Sequence, residues 1–263
     1  SFDIYDVVIH PEIQQIFNLS NNIIFIGCGS SYNACKFISK IINKTTEKQA
    51  FAFNSCDFNI YDIPKYIIHD PQGTSIYFLS QSGETADTYK KISYFKNYRY
   101  TVGVTNEKHS LIYNSVNYNI NMGANREIAV ASKKSFTRSI DVFLNLLNIY
   151  KNNDNLTTKN YIEIEKSVGD LLNCKNISTC ENMFLLGDGE YFHLAEEGSL
   201  KIKEISYINC QAYSLKSLKH GPFSLIDENS FVIIINPMEN TNQVNVTYDE
   251  ILCRTDEKNI FIL

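Results

Sequence analysis

The chain alternates short apolar runs with longer amphipathic segments, and this alternation is the feature that most constrains its fold. Apolar runs stand at 22–27, 74–80 and 100–105. Segments with apolar residues at helical spacing lie between them, at 32–43 and 84–96. Strands that alternate with helices form a parallel sheet covered by helices on both faces. The pattern therefore predicts an α/β fold.

The same alternation continues along the rest of the chain. We predict further strands at 50–54, 117–121, 183–187, 231–236 and 259–263, and helices at 128–150, 161–172, 192–209 and 244–253. The Asn-rich stretch 151–158 has Leu156 as its only apolar residue, which indicates a loop between two halves. We expect two doubly wound, flavodoxin-like subdomains at 1–152 and 153–263. We expect the C-terminal subdomain to be truncated, because its last strand has no helix after it.

The two halves begin alike. Each opens on an apolar strand that ends in glycine and leads into a helix, I-F-I-G-C-G at 24–29 and M-F-L-L-G-D-G at 183–189. A duplicated α/β unit explains this similarity, although the sequence identity is too low to establish it.

Composition excludes several classes of protein. A chain of 263 residues with 44% hydrophobic residues is long enough and apolar enough to bury a core. It has no run of 18 apolar residues for a membrane span, and its first residues do not resemble a signal peptide. The net charge of −5 and the absence of a basic stripe argue against nucleic acid as a partner. We expect a cytoplasmic protein that binds small molecules or protein.

Cysteine and histidine usage predicts no metal or cofactor. The seven cysteines include no C-x-x-C pair, and they are typical of free thiols in a reducing compartment. The histidines other than His220 are scattered without ligand spacing. There is no G-x-S-x-G motif and no base next to Cys28 in sequence, so hydrolase chemistry is disfavoured.

The first candidate site is the turn G-C-G-S-S-Y at 27–32, between a predicted strand and a predicted helix. Glycines permit a tight turn, and the free N–H groups of a helix N-terminus bind anions. The turn begins like a dinucleotide fingerprint but lacks the third glycine. An equally good interpretation is a plain strand–helix turn in which a serine caps the helix.

The second candidate site is the turn S-Q-S-G-E-T at 80–85, also between a strand and a helix. Its hydroxyls and backbone N–H groups can surround an anion without a fixed positive charge. A serine N-cap with Glu84 in a capping box is the alternative. Since both turns follow strands of one sheet, where ligands bind at the carboxyl edge, we favour a phosphate or phosphosugar pocket.

The third and fourth candidates lie in the second half. Glu197, Lys201 and Glu204 are four and three residues apart, so they share one face of the predicted helix. From the spacing alone we favour a solvent-exposed ladder of ion pairs, and a buried charged face with a carboxylate base is the alternative. His220 precedes Gly-Pro on an irregular segment, where an imidazole can act as an acid or a base.

At these residues the sequence resembles a known enzyme family. The runs C-G-S-S-Y-N-A (28–34), S-Q-S-G-E-T-A-D-T (80–88) and E-I-A-V-A-S-K-K-S-F-T (127–137) resemble sugar-isomerase domains. The run E-G-S-L-K-I-K-E-I-S-Y-I at 197–208 and L-K-H-G-P at 218–222 resemble the isomerase part of glutamine:fructose-6-phosphate amidotransferases. The resemblance implies two sugar-isomerase subdomains and the isomerase half of glucosamine-6-phosphate synthesis.

The resemblance also implies roles for individual residues. By similarity, the residues that hold the sugar phosphate are Ser30, Ser31, Ser80, Gln81, Ser82, Thr85 and Ser132. Glu204 matches the carboxylate that moves a proton between C1 and C2. Lys201 and Glu197 match its neighbours on the helix. The resemblance implies a catalytic role for Lys201 and a substrate-binding role for Glu197. His220 matches the ring-opening histidine, which the partner subunit of a homodimer supplies. The implied partners are a sugar phosphate and a glutaminase domain that delivers ammonia.

The sequence departs from the family pattern in several places. We expect the chain to lack the family's glutaminase domain and its C-terminal tail, whose lysine forms a Schiff base with the sugar in the family. Lys133 replaces a usual threonine, Asn209 and Cys210 replace His-Ala, and Ser217 replaces glutamate. Another phosphosugar isomerase, deaminase or deglycase of the same fold therefore stays open as an alternative, as does a non-catalytic phosphosugar-binding module.

Overall fold

A computed structural model of the protein divides the chain into two compact units, residues 1–156 and 157–263. The structure describes residues 7, 9–124, 134–151, 171, 177, 179–235 and 241–263. The predicted domain boundary at 152/153 and the predicted helix at 161–172 lie outside these residues, apart from Leu171. The predicted loop beyond Lys151 and the start of the predicted helix at 128–150 also lie outside the described residues.

The first unit is a five-stranded parallel sheet with helices. Its strands are β1 (Asn22–Gly27), β2 (Gln49–Asn54), β3 (Thr74–Ser80), β4 (Tyr100–Thr105) and β5 (Tyr118–Asn121). Its helices are α1 (Pro11–Leu19), α2 (Ser30–Thr45), α3 (Lys65–Ile68), α4 (Ala86–Lys91), α5 (Leu111–Ser115) and α6 (Lys134–Lys151). The strand order is β2-β1-β3-β4-β5, which is the flavodoxin-like order that the sequence predicts.

Both faces of the first sheet are buried. Phe25 and Tyr77 project to one face, where Phe143 of α6 packs on Phe25 with a ring-centroid distance of 4.9 Å. On the opposite face Ile24 and Phe78 belong to a second apolar cluster. Burial on both faces explains why β1 and β3 are continuous apolar runs in the sequence.

The second unit is a four-stranded parallel sheet. Its strands are β6 (Asn182–Leu186), β7 (Asn209–Tyr213), β8 (Ser230–Ile234) and β9 (Ile260–Ile262), and its helices include α7 (Tyr191–Ser206) and α8 (Thr241–Leu252). The order β7-β6-β8-β9 repeats the order of the first four strands of the first sheet. The prediction of two doubly wound α/β subdomains is therefore confirmed.

The two sheets also repeat the same turn after their first strands. A Cβ on Gly27 would lie 3.0 Å from the Ser31 backbone, and a Cβ on Gly187 would lie 2.7 Å from the Tyr191 carbonyl oxygen. Two residues after each of these glycines, Gly29 and Gly189 have φ angles of 55° and 58°. Each strand thus enters its helix through a close backbone contact and a left-handed glycine.

Two element predictions were wrong. The predicted helix at 192–209 ends at Ser206, because Tyr207 takes a left-handed φ of 59°, and Asn209 instead begins β7. The predicted helix at 84–96 is the short α4 followed by a 3₁₀ turn over Ile92–Phe95. Among the described residues, no helix is long and apolar enough to cross a membrane.

Candidate functional site

The two hydroxyl-rich turns of the first unit follow neighbouring strands. β1 pairs with both β2 and β3, so the strand order reverses at β1 and β3. The register places Ile26 beside Phe78, which brings the ends of β1 and β3 to the same edge of the sheet. In open α/β sheets, ligands bind in the crevice at such a switch point.

The turn after β1 presents two serines at the start of α2. The N-cap is Gly29, which makes no side-chain capping bond, and Ser30 and Ser31 are the first two residues of the helix. The alternative in which a serine caps this helix is therefore wrong. Both serines are half-buried, at the helix end where backbone N–H groups point away from the helix.

The turn after β3 is held together by the Ser80 hydroxyl. Ser80 is 2% exposed, and its Oγ accepts a hydrogen bond from the Gly83 N–H at 3.0 Å. It also shares a hydrogen bond with the Thr85 hydroxyl at 2.8 Å. The Ser82 Oγ accepts the Glu84 N–H at 3.1 Å. The Ser80 hydroxyl thus shapes the turn, while Gln81, Ser82 and Thr85 are half-buried at its surface.

The segment after β4 braces this turn from the other side. The Glu84 carboxylate accepts the Leu111 N–H at 3.0 Å, and the Gly83 carbonyl accepts the Ile112 N–H at 3.0 Å. The Gln81 carbonyl accepts the Asn106 N–H at 3.0 Å. Glu84 therefore holds another helix, so the capping-box alternative is wrong. Sequence reasoning missed this role because the bond joins residues that are 27 positions apart.

A rigid loop of hydroxyl and backbone groups is suited to an anion such as a phosphate. Such groups bind a phosphate by hydrogen bonds, and their fixed positions lower the entropy cost of binding. Ser132, which the sequence analysis also assigns to the phosphate, lies outside the described residues, as does Lys133.

In the second unit, Lys201 joins the two glutamates of its helix face. Its Nζ lies 2.7 Å from Glu204 Oε2 and 3.6 Å from Glu197 Oε1. The side chains are 7% exposed at Glu197, 17% at Lys201 and 35% at Glu204. The face thus runs from a buried carboxylate to a more exposed one, which combines the two alternatives that the sequence leaves open.

Helix α7 lies close to its sheet. A Cβ on Gly198 would come within 2.6 Å of the Leu185 side chain, and the Ser199 hydroxyl donates to the Cys210 carbonyl at 2.8 Å. These contacts hold α7 against the sheet, and Glu197, which precedes Gly198, is buried.

His220 ends a 3₁₀ turn formed by Ser217–Lys219. Its N–H donates to the Ser217 carbonyl at 3.0 Å, and its side chain is exposed. Gly221 follows with a φ of 125°, a conformation that favours glycine. The neighbouring Lys219 forms an ion pair with Glu250 at 2.8 Å. The imidazole is thus presented outward from a fixed turn.

The part of the chain that the structure describes contains no group of three or more His, Cys, Asp or Glu side chains placed to hold a metal ion.

Comparison with known proteins identifies the family. The model of the SIS domain matches residues 16–148 and 176–262. The chain belongs to the SIS family. This SIS chain is 32% identical over 258 residues to a Buchnera aphidicola protein named glutamine–fructose-6-phosphate aminotransferase [isomerizing], and 35% identical over 228 residues to a Rhizobium meliloti protein of that name.

These alignments cover 90% and 77% of the SIS chain, but 41% and 37% of the two relatives. The chain thus spans about two fifths of the length of these curated relatives.

Solved structures share the fold. The C-terminal domain of glucosamine-fructose-6-phosphate aminotransferase from Francisella tularensis has a TM-score of 0.77 at 25% identity, over 98% of this SIS chain and 81% of that domain. A glucosamine-6-phosphate deaminase from Thermotoga maritima has a TM-score of 0.75 at 20% identity, over 96% and 81% of the two chains. The resemblance to the isomerase part of the amidotransferases is confirmed, whereas the likeness to the deaminase concerns the fold alone.

Proposed function

We propose that this SIS chain binds fructose-6-phosphate and carries the ketose–aldose isomerase half of glucosamine-6-phosphate synthesis. The observation that carries the proposal is the hydroxyl-rich turn 80–85, built around Ser80 and braced by Glu84 at the switch point of the first sheet. It is supported by the relatives, whose names describe an isomerizing aminotransferase that acts on fructose-6-phosphate.

The first unit binds the phosphate group in this proposal. Ser82 and Thr85 offer hydroxyls from one turn, and Ser30 and Ser31 offer hydroxyls from the other. Phosphate binding supplies energy far from the reacting carbons, and that energy orients the sugar for proton transfer.

Helix α7 supplies the proton-transfer chemistry in this proposal. The Glu204 carboxylate removes a proton from C1 while the C2 carbonyl oxygen gains one, which gives an enediol. The proton returns to C2 as the C1 hydroxyl loses its own, so that an aldose forms. Lys201 holds Oε2 of Glu204 at 2.7 Å and leaves Oε1 to move the proton. His220 is the acid–base group that opens the sugar ring.

The partners in this proposal are those that the sequence resemblance implies. A glutaminase domain supplies ammonia for the amination of the sugar, and a homodimer brings His220 of one subunit to the other. A cytoplasmic location, where the sugar phosphate is found, is part of the same proposal.

Two measurements test the proposed function. Calorimetry should show binding of fructose-6-phosphate but not of fructose, and the double change S82A/T85A should weaken the binding at least tenfold. In parallel, incubation with fructose-6-phosphate should produce glucose-6-phosphate, and E204Q should abolish its formation. Binding without turnover in the wild type favours the phosphosugar-binding module, whereas equal binding of fructose and fructose-6-phosphate contradicts the proposal.

A further inference from the structure

Two cysteine sulfurs meet at the turn 27–32, which carries Ser30 and Ser31. The Sγ atoms of Cys28 and Cys56 lie 3.1 Å apart, and both residues are free thiols. Cys28 stands between the end of β1 and the N-cap of α2, and Cys56 follows the end of β2. β1 and β2 are hydrogen-bonded neighbours whose register pairs Gly27 with Asn54, so the backbone brings these two thiols together.

We propose that Cys28 and Cys56 are an oxidation site at which a small uncharged peroxide forms a disulfide between β1 and β2. The bond would fix the turn that carries Ser30 and Ser31. This modification is independent of the proposed sugar-phosphate chemistry, because it depends only on the two thiols and their surroundings.

The structure already holds both sulfurs close to the geometry of a disulfide. A disulfide bond is about 2.05 Å long, so the sulfurs need to approach by only about 1 Å. The turn that carries Cys56 is tied to its surroundings on two sides. The Ser55 N–H donates to the Gly27 carbonyl at 2.8 Å, and the Thr88 hydroxyl donates to the Ser55 Oγ at 3.0 Å. These bonds hold the backbone beside Cys56 in place, next to the end of β1.

The surroundings of Cys56 select the kind of oxidant. Cys56 is exposed, and its Sγ lies 3.9 Å from Asp87 Oδ2. The hydrogen bond with Cys28, burial, and the negative charges of Cys28, Asp87 and Asp57 together raise the pKa of Cys56 to about 11. Carboxylates at this position repel anionic oxidants such as glutathione disulfide. Hydrogen peroxide carries no charge and reaches the thiol without this penalty.

The reaction balances with one peroxide per disulfide. The thiolate of one cysteine attacks one oxygen of hydrogen peroxide, the O–O bond breaks, and hydroxide leaves, so that a sulfenic acid forms. The other cysteine then attacks this sulfur, an S–S bond forms, the S–O bond breaks, and water leaves. In total two thiols and one hydrogen peroxide give one disulfide and two waters. Both sulfurs are oxidised and the peroxide oxygens are reduced.

Peptide mapping of the protein, after oxidation in its native state, tests this proposal. Trypsin separates the cysteines into peptide 1–36, with Cys28 and Cys35, and peptide 49–65, with Cys56 alone. One equivalent of hydrogen peroxide should join these peptides, with the mass of their sum less two hydrogens. C28S and C56S should each abolish the linked peptide. C253S is the matched control, because Cys253 is also exposed, and it should leave the linked peptide unchanged.

Two further comparisons test which oxidant reacts and whether Cys28, rather than the buried Cys35, forms the bond. Glutathione disulfide at the same concentration should form the linked peptide at least tenfold more slowly than hydrogen peroxide. Equal rates would overturn the choice of an uncharged oxidant. A linked peptide that persists in C28S would assign the bond to Cys35 and would overturn the site. Sulfenic acid on Cys56 with no linked peptide, in a protein with an unchanged circular dichroism spectrum, would also overturn it.

Discussion

The Ser80 hydroxyl lies 2.8 Å from the Thr85 hydroxyl and joins the first and last residues of the candidate phosphate turn. The same oxygen accepts the Gly83 N–H, so a single buried atom ties three residues of the turn together. This geometry separates residues that shape the turn from residues that can reach a ligand.

We expect S80A to cost both stability and binding. The substitution removes the Oγ that accepts the Gly83 N–H at 3.0 Å and bonds to the Thr85 hydroxyl, so the Gly83 N–H keeps only its longer bond to the Ser80 carbonyl at 3.3 Å. The loss of a hydrogen bond costs about 0.5–1.5 kcal/mol. Urea unfolding measures this loss, and calorimetry should show weaker binding of fructose-6-phosphate. S82A is the control, because Ser82 accepts a bond at the half-buried surface of the turn, and it should weaken binding with a smaller loss of stability. Equal stability of S80A and the wild type would contradict the shaping role.

A double-mutant cycle tests the close contact between Gly83 and Ser110. A Cβ on Gly83 would lie 1.9 Å from the Ser110 Oγ, and the φ of Gly83 is 66°. We expect G83A to be strongly destabilising in the wild type and less so in S110G, with a coupling energy of about 1–3 kcal/mol. Urea unfolding of the four proteins gives this energy. A coupling near zero would mean that backbone strain alone accounts for the cost of G83A.

The sequence predicts best those strands that are continuous apolar runs. β1, β3 and β4 have the predicted bounds, because each is an apolar run that ends at a polar or turn residue. β7 was missed because Asn209–Tyr213 reads N-C-Q-A-Y, with no β-branched residue. The preceding helix also ends at a left-handed tyrosine, where glycine or asparagine would be the usual signal.

The candidate site was predictable only as far as its local motifs. Both hydroxyl-rich turns and the Glu197–Lys201–Glu204 face follow from strand ends and helical spacing, and the structure has them in those positions. The bond from Leu111 to Glu84 and the meeting of Cys28 with Cys56 depend on tertiary packing and on the strand order. A single sequence does not carry those pairings, because they join separate strands and loops.

We expect E204Q to remove isomerisation while sugar-phosphate binding stays within about threefold of the wild type, because glutamine keeps the size of the side chain but cannot take up the proton. Lys201 lies 2.7 Å from the same carboxylate, so K201M should lower kcat more than it raises KM. The conversion of fructose-6-phosphate to glucose-6-phosphate measures both. If E204Q retains wild-type kcat, another group must move the proton.

Mixing two inactive subunits tests whether His220 acts across a dimer. H220A should impair reaction of the cyclic sugar more than that of an open-chain analogue. If Glu204 and His220 of one site come from different subunits, an E204Q/H220A mixed dimer keeps one intact site. Since about half of the dimers in an equal mixture are mixed, about a quarter of wild-type activity should return. No recovery, although native mass spectrometry detects the mixed dimer, would place both residues of a site in one subunit.

The pKa of Cys56 predicts an unusual gain of reactivity on removal of its neighbour. The hydrogen bond with Cys28 is the largest cause that raises this pKa to about 11, so few Cys56 side chains are thiolates at about pH 8. C28A removes this cause and lowers the pKa. The thiolate population then rises while each thiolate becomes a weaker nucleophile, and the net gain in the rate of alkylation by iodoacetamide is up to about tenfold.

The rate of alkylation of Cys56 in the reduced wild-type protein should keep rising with pH toward about 11, whereas in C28A it should level off at a lower pH. Alkylation of Cys253 in the same samples is the control and should not change. An unchanged rate at Cys56 in C28A would show that the carboxylates of Asp57 and Asp87, rather than the Cys28 thiol, set its reactivity.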